Sequence, residues 1–357
     1  MKVNILGGFG TSYGYGAATE NLAIALQEVG VDVYPVRLPA QRSIAGRGDI
    51  TPKGLEIVNK ATVMTDTAIF IGHPPAFREM ANFKHRIGYS MFESDKLPTK
   101  DPSNPKIKDW ADEVNKHCTR LWVPSSSSKE LFLKHGVKVP IDIVRNGVDP
   151  ELFPYMERPN RDIFTFLCYG VLTIRKNPGK LICAFNALFK NNPKAHLILK
   201  TQSGTLGHLQ MEDNITIIDN VYPHDQLLEL LKSADAFVFP SRGEGFGLPP
   251  IEAMSTGLPT IVSANSGMLE YANGDYNFPI PCLQKTKTTH VPKEMGDIGN
   301  WWEPDFGMLK ASMKFLYDNR EYGREIGKKG SKWVQENFSW QNAAMHAKSI
   351  LENLTKE

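Results

Sequence analysis

The chain has 357 residues, too long for one doubly wound domain of ordinary size and comfortable for two. Hydrophobic residues make up 41% and charged residues 22%, an ordinary globular balance that makes two sizeable cores feasible. The formal net charge of +2 demands neither a nucleic acid nor a membrane as partner, although a net value hides local patches.

The chain opens Met1-Lys2-Val3-Asn4-Ile5-Leu6-Gly7-Gly8, which reads as a strand running into a glycine loop rather than as a signal peptide. The first strand is expected near residues 3–6, followed by a loop through Gly16 and a helix near 17–29. Further strands are expected near 31–36, 68–72, 86–91 and 121–124. Ser125–Ser128 caps a helix running to about His135, which Gly136 stops. A strand near 141–144 ends the first half, and Asn146-Gly147 turns the chain out. After a polar, proline-containing linker at 154–160, strands are expected at 164–169, 195–199, 215–218, 236–239 and 260–262. Helices fall between them at 181–189, 226–232 and 250–255, and three more follow near 306–318, 321–336 and 341–354. Apolar runs alternating with amphipathic stretches mean parallel sheets covered by helices. The picture is two Rossmann-like, doubly wound domains facing an interdomain cleft, where the carboxyl ends of strands receive ligands.

Cys118, Cys168, Cys183 and Cys282 form no CxxC pair, so neither a zinc site nor a disulfide framework is suggested. Cys168 and Cys183 lie in apolar runs and read as core residues. No apolar run approaches the roughly 20 residues that span a bilayer. A soluble protein of a reducing, cytoplasmic compartment is expected, at most peripheral at the inner membrane face.

The most specific stretch is Ser241-Arg242-Gly243-Glu244-Gly245-Phe246-Gly247-Leu248-Pro249-Pro250-Ile251-Glu252-Ala253-Met254, directly after the strand at 236–239. Its glycines let the backbone approach a ligand closely, and Pro249 and Pro250 suit a first helical turn. The helix N-terminus offers N–H groups and a positive dipole end to an anion. Glu244 on the loop and Glu252 in the expected first turn are separated by seven residues, and the dipole there favours the ionised form of Glu252. A sugar nucleotide needs these parts: N–H donors and a cation for the diphosphate, carboxylates for ribose and sugar hydroxyls. The competing reading makes Glu252 a helix cap and Glu244 a solvated surface acid.

Here the sequence resembles family 4 of the retaining glycosyltransferases, whose Glu-x7-Glu motif matches Glu244 to Glu252 with Gly-Phe-Gly-Leu between. The resemblance extends to Leu121-Trp122-Val123-Pro124-Ser125, Arg145-Asn146-Gly147-Val148-Asp149, Trp301-Trp302-Glu303-Pro304-Asp305 and Phe338-Ser339-Trp340. It implies the GT-B fold, with residues 1–155 as an acceptor-side domain and 156–337 as a nucleotide-sugar-binding domain. Residues 338–357 would then form a closing helix that returns to the first domain. It also implies that Glu252 binds ribose hydroxyls and that Glu244 contacts donor-sugar hydroxyls near the reacting carbon. Gly245 lies in the same turn, and backbone N–H groups of Phe246, Gly247 and Leu248 would hold sugar or phosphate oxygens.

A second constellation, Tyr169-Gly170-Val171-Leu172-Thr173-Ile174-Arg175-Lys176-Asn177-Pro178, sits between a strand and a helix, where a phosphate-binding loop belongs. Gly170 and Lys176 fit the family's pattern, but Val171 stands where an Arg is expected, leaving Arg175 as the candidate second cation. A cation here would stabilise the negative charge growing on a nucleoside-diphosphate leaving group. The resemblance implies no metal and no cofactor; the substrate would be a UDP- or GDP-linked sugar.

The loop Gly7-Gly8-Phe9-Gly10-Thr11-Ser12-Tyr13-Gly14-Tyr15-Gly16 fits the dinucleotide fingerprint poorly, and Arg37 follows the second strand where that fingerprint calls for an acid. By the resemblance, Gly14 and Gly16 approach the diphosphate from the opposite domain. On the acceptor side, His73 and Glu93 each follow a strand and are candidates to orient or deprotonate a hydroxyl, against a purely structural reading. The stretch 281–300, with Lys285, Lys287, His290 and Lys293, reads as a surface loop and a candidate acceptor lid.

The expected reaction is glycosyl transfer with retention from a nucleoside-diphosphate sugar to a hydroxyl of a glycan, lipid-linked or other acceptor. Three alternatives stand beside it: a phage-type enzyme acting on modified DNA bases, a sugar-nucleotide epimerase or hydrolase, and a non-catalytic sugar-nucleotide-binding protein. Nucleic acid is the less favoured partner on charge.

Overall fold

The computed structural model describes residues 1–10, 13–36, 50–100, 106–107, 109–202, 212–289 and 295–354. These separate into two compact units. Unit 1 lies within Met1–Gly147, Val291–Gly299 and Ser339–Glu357, and unit 2 within Val148–His290 and Asn300–Phe338.

In unit 1, β1 (Lys2–Leu6) leads into α1 (Gly14–Glu28), then β2 (Asp32–Pro35), α2 (Pro52–Val58), β3 (Thr67–Ile71) and a 3-10 turn at Pro74–Met80. β4 (His85–Tyr89), α3 (Trp110–His117), β5 (Arg120–Val123), α4 (Ser126–Lys134) and β6 (Ile141–Ile143) follow. The sheet has six strands, all parallel, in the order β2-β1-β3-β4-β5-β6. Three helices are stopped from fraying by side-chain caps: Thr51 accepts from Gly54, Asp109 from Ala111 and Ser125 from Ser128.

In unit 2, β7 (Phe164–Tyr169), a 3-10 turn at Ile174–Lys176, α5 (Pro178–Phe189), β8 (Ala195–Thr201), β9 (Ile215–Asp219), α6 (His224–Ser233) and β10 (Ala236–Phe239) come first. They lead to α7 (Leu248–Ser255), β11 (Thr260–Ala264), a 3-10 turn at Ser266–Glu270 and β12 (Phe278–Pro281). A hairpin of β13 (Gln284–Lys287) and β14 (Asn300–Glu303) precedes α8 (Phe306–Asp318) and α9 (Arg320–Asn337). The main sheet again has six parallel strands, β12-β11-β10-β7-β8-β9. β7 and β10 are buried along their whole length, as strands covered on both faces must be. The last helix, α10 (Trp340–Leu354), belongs to unit 1, where it packs on α1 and Lys348 Nζ donates to Val29 O at 2.7 Å.

Each sheet reverses its winding once. In unit 1 the reversal lies between β1 and β3, and in unit 2 between β7 and β10. Segments leaving the carboxyl ends of those strands are thereby brought side by side, the geometry at which open α/β sheets bind ligands.

The structure corrects several expectations. α1 starts at Gly14, so Gly14 and Gly16 lie in its first turn and not in the preceding loop. Gly16 is there because a Cβ would stand 2.4 Å from both Gly10 O and the Tyr13 ring. α2 and α3 were not expected, the first because it is only seven residues long and contains Gly54. Cys183 is exposed, because the inward stripe of α5 is Leu181, Ala184, Phe185 and Phe189 and residue 183 falls between its rows. The 281–300 stretch carries β13, which pairs antiparallel with β14, rather than loop alone. Arg37, His290 and Lys293, with Thr11 and Ser12 of the first glycine loop, lie outside the described residues.

Candidate active site

At the reversal point of unit 2, two segments run together. One leaves β7 through Gly170, at φ 131°, and makes the 3-10 turn carrying Arg175 and Lys176. The other leaves β10 and carries Ser241 to Gly247. They are tied at the backbone, with Arg242 N donating to Arg175 O at 2.8 Å, and the Arg175 guanidinium returns a bond to Gly243 O at 2.5 Å.

Glu244 is nearly enclosed, at 6% exposure. Lys176 Nζ lies 3.0 Å from its Oε1, Arg175 also 3.0 Å, and Ser241 Oγ donates to the same atom at 2.7 Å. Among the described residues the hydrogen bonds of this side chain fall on Oε1, which leaves Oε2 as an acceptor for another group. Burial pushes the carboxyl up, but Arg175 and Lys176, with the Ser241 bond, outweigh it and hold it at about 2. The surface-acid alternative for Glu244 therefore fails. Its backbone N–H donates to Ser266 Oγ at 2.9 Å, and Asn265 Oδ1 accepts from that hydroxyl at 2.8 Å.

Glu252 behaves in the opposite way. It is the fifth residue of α7, beyond the first turn, so the expected help from the helix dipole is weak. Burial raises its carboxyl to about 7, against the Tyr169 hydrogen bond and the charge of Lys176, which pull it down. Tyr169 Oη donates to Oε2 at 2.5 Å. The expectation of a dipole-favoured, readily ionised Glu252 is thus corrected: desolvation wins. It does not cap the helix either, since α7 has no side-chain cap.

The turn between the two acids is shaped by glycine. Gly247 has φ 92°, a left-handed conformation that side chains resist, and it precedes Leu248 at the start of α7. A Cβ on Gly267 would lie 2.1 Å from Gly245 O, so residue 267 must be glycine for the turn to close. Tyr271 Oη donates to Phe246 O and Gly247 O at 3.1 and 2.9 Å. The Phe246 ring is buried against Tyr271 and Phe338, which leaves only its backbone for a ligand. Because Pro249 and Pro250 have no N–H, the amides able to meet an anion at this end of α7 are those of Phe246, Gly247 and Leu248.

Four cations gather here. Besides Arg175 and Lys176, Arg242 and Lys180 share Glu303, Arg242 Nε standing 2.6 Å from Oε2. Arg175, Lys176, Lys180 and Arg242 carry +4, and Glu244 and Glu303 carry −2, a net of +2 for this cluster of six side chains, in which Glu252 is not counted. Gly170 stands beside Lys176 and Pro249, each within 4 Å of where its Cβ would be.

In unit 1 the candidate residues gather around Tyr15. Gly14 and Gly16 flank it in the first turn of α1. The His73 ring sits 4.9 Å from that of Tyr15 and 4.9 Å from that of Trp110. Tyr15 Oη donates to Met91 O at 2.7 Å, and its burial, with the Glu93 charge, raises its pKa.

Sequence reasoning missed Tyr169 as the partner of Glu252, Ser241 and Ser266 as supports of Glu244, Gly267, and the pair Arg242 and Glu303. Ser266 and Gly267 follow the carboxyl end of β11, the one signal that could have found them.

Residues 156–278 match the sequence profile of the family described as Glycosyl transferases group 1. The matched segment holds both acids of the turn. A galactosyltransferase of Escherichia coli, UDP-Gal:alpha-D-GlcNAc-diphosphoundecaprenol alpha-1,3-galactosyltransferase, is 30% identical over 205 residues, covering 51% of each chain. The chain thus spans about half the length of that relative. Among solved structures, sucrose-phosphate synthase from Thermosynechococcus elongatus superposes with TM-score 0.71 at 18% identity, covering 99% of both chains. Anabaena HepE, solved in complex with UDP-glucose, gives TM-score 0.67 at 15% identity over 99% of this chain and 100% of that one. These likenesses establish the fold class as GT-B, the class expected from the sequence. Among the described residues no helix is long and apolar enough to cross a membrane.

Proposed function

We propose that the chain is a glycosyltransferase that moves a hexosyl group from a UDP- or GDP-linked sugar to an acceptor hydroxyl, with retention of anomeric configuration. The carrying observation is Glu244: ionised, nearly enclosed, and with one oxygen saturated by Arg175, Lys176 and Ser241 while the other is left for a ligand. Two cations fixed beside an acceptor oxygen suit a group that is part sugar hydroxyl and part diphosphate. Arg175, Lys176, Lys180 and Arg242 outnumber the two carboxylates they pair with, and fixed positive charge in a shielded site stabilises the negative charge growing on a departing nucleoside diphosphate without reorganisation. Glu252 with Tyr169 would hold the ribose hydroxyls, and the Phe246, Gly247 and Leu248 amides phosphate or sugar oxygens. The E. coli relative is named for a UDP-linked donor and HepE was solved with UDP-glucose, which supports a nucleotide-sugar donor here. Tyr15, His73 and Glu93 of unit 1 are proposed to serve the acceptor, which is a glycan, lipid-linked or small-molecule hydroxyl.

Thermal unfolding in the presence of UDP, GDP, ADP, CMP and dTDP sugars tests the donor, since a ligand bound only to the native state raises its stability. A shift with UDP or GDP sugars that disappears in Glu252→Ala is expected. No shift with any of them, or an unchanged shift in the variant, would overturn the reading. Donor consumption at full rate without any acceptor would favour a hydrolase or epimerase instead.

A further inference from the structure

Among the described residues of unit 2, two carboxylates each bridge a pair of cations. Glu244 bridges Arg175 and Lys176. Glu303, on β14 of the hairpin and outside the six-stranded sheet, bridges Arg242 and Lys180. Its Oε1 also accepts from Asn177 Nδ2 at 3.3 Å.

The partners of Glu303 enclose the turn that carries the inner pair. Arg242 donates from its guanidinium to Ile174 O at 2.8 Å and from its backbone to Arg175 O at 2.8 Å. Its carbonyl accepts from Trp302 N at 2.9 Å, so the hairpin grips Arg242 by backbone as well as side chain. Asn177 follows Lys176 directly, in a left-handed conformation at φ 61°. Arg175 and Lys176 therefore stand on a turn whose carbonyls are held by Arg242 and whose exit is held by Asn177, and both restraints end on one carboxylate. Burial raises the Glu303 carboxyl, but the bonds from Arg242 and Lys180 outweigh it and keep it ionised below the usual range.

We propose that Glu303 is a positioning residue for the reaction: through Arg242 and Asn177 it fixes the turn that aims Arg175 and Lys176 at the departing diphosphate. The inference rests on the donor-site reading above. It assigns a role to a residue that lies 59 positions after Glu244 in sequence and outside the Glu-x7-Glu motif.

Charge and positioning make opposite predictions. Removing Glu303 raises the net charge of the cluster from +2 to +3, which by Coulomb attraction alone would tighten diphosphate binding. Loss of positioning would weaken it. The experiment is calorimetric titration of UDP and GDP into the full chain, as wild type, E303A, E303Q, R242A and the E303A/R242A double variant, with a melting curve for each. E303A is expected to weaken the nucleotide by about tenfold, and its effect to shrink below about twofold in the R242A background, because residues of one network do not add. E303Q, which keeps the acceptor oxygen, should lose less than about threefold, because hydrogen bonds to Arg242 and Lys180 survive the loss of charge. Binding to E303A as tight as wild type or tighter, or full additivity with R242A, would overturn the proposal while leaving the donor site standing. Should E303A not fold, E303D keeps the charge but withdraws it by one methylene, and wild-type affinity in that variant would equally overturn it. If wild type binds neither UDP nor GDP, the donor-site reading falls, and this inference with it.

Discussion

The two sheets reverse their winding in the same way, yet they place opposite chemistry at the reversal. In unit 2 the segments after β7 and β10, with Glu303 of the hairpin, bring together four cations and the acids Glu244, Glu252 and Glu303. In unit 1 the segments after β1 and β3, with the residues that follow β4, bring together Tyr15, His73, Trp110 and Phe92 in a row, each ring against the next. One topology therefore supplies a charged end and an aromatic end. The difference comes from what the chain places after each strand, not from the sheet. On the proposed reading a diphosphate goes to the charged end, where cations outnumber the carboxylates they pair with among the described residues. A largely neutral hydroxyl-bearing group suits the aromatic one.

That contrast can be broken most directly at Lys176. Lys176→Ala should lower glycosyl transfer on the order of 10²- to 10³-fold, the cost of losing one fixed group from a charged transition-state site. A drop below about tenfold in steady-state rate would remove the charged end from the mechanism.

Glu244→Gln comes next. It keeps the shape but removes the charge that Arg175 and Lys176 surround, and turnover should fall by about 10²-fold with a smaller change in nucleotide affinity, since the proposed contact is to the sugar near the reacting carbon. An equal loss in both would place Glu244 in binding rather than catalysis.

Gly267→Ala tests the turn itself. A Cβ 2.1 Å from Gly245 O must push backbone against backbone, and the cost should be about 3 kcal/mol in denaturant unfolding. A neutral variant would mean that the turn between the acids is not rigid.

Glu252 sharpens the comparison through pH. Its native carboxyl titrates at about 7 against 4.5 unperturbed, so the fold favours its protonated form. Its contribution to stability is therefore complete below about pH 4.5 and lost as pH rises through about 7. The carboxylate is the better acceptor for two ribose hydroxyls, so nucleotide affinity should rise by about tenfold between roughly pH 6 and 8, one unit of pH being worth a factor of ten in a titrating group. Glu252→Gln should flatten that rise, and titration calorimetry at several pH values reads it.

The smallest effect is expected in unit 1. Tyr15→Phe removes the bond to Met91 O but leaves the charged groups of unit 2 in place, so nucleotide affinity should stay within about twofold while acceptor KM rises. A large loss of nucleotide binding would blur the division between the two ends.

Much of this was legible in the chain. β7 and β10 fall at 164–169 and 236–239 as expected, because wholly buried strands are nearly continuous apolar runs, broken in β7 only by Thr165. α8 starts where expected because Asp305 both precedes the apolar stripe and accepts from Met308 N. The hairpin was hidden because β13 is Gln-Lys-Thr-Lys, with no apolar alternation to betray a strand. Arg242 was in view but its partner was not, since Glu303 meets it across 61 positions and no local pattern encodes such a pairing. The spacing of the acids at 244 and 252 singles them out in the chain, while their titration is not legible there. Local sequence suggested a dipole at Glu252, and enclosure by Tyr169 and its surroundings decides otherwise.

The attachment of α10 to α1 has a consequence for biosynthesis. Unit 2 ends at Phe338, but unit 1 takes its last helix from beyond it. As the nascent chain leaves the ribosome, the amino-terminal unit is therefore the last to be completed. Until Ala343, Ala344, Ala347 and Leu351 emerge, the apolar side of α1 they cover stays open to water, a natural foothold for a chaperone. A transcript cut short before residue 339 would yield a carboxyl-terminal half able to close its own core, joined to an amino-terminal half that cannot.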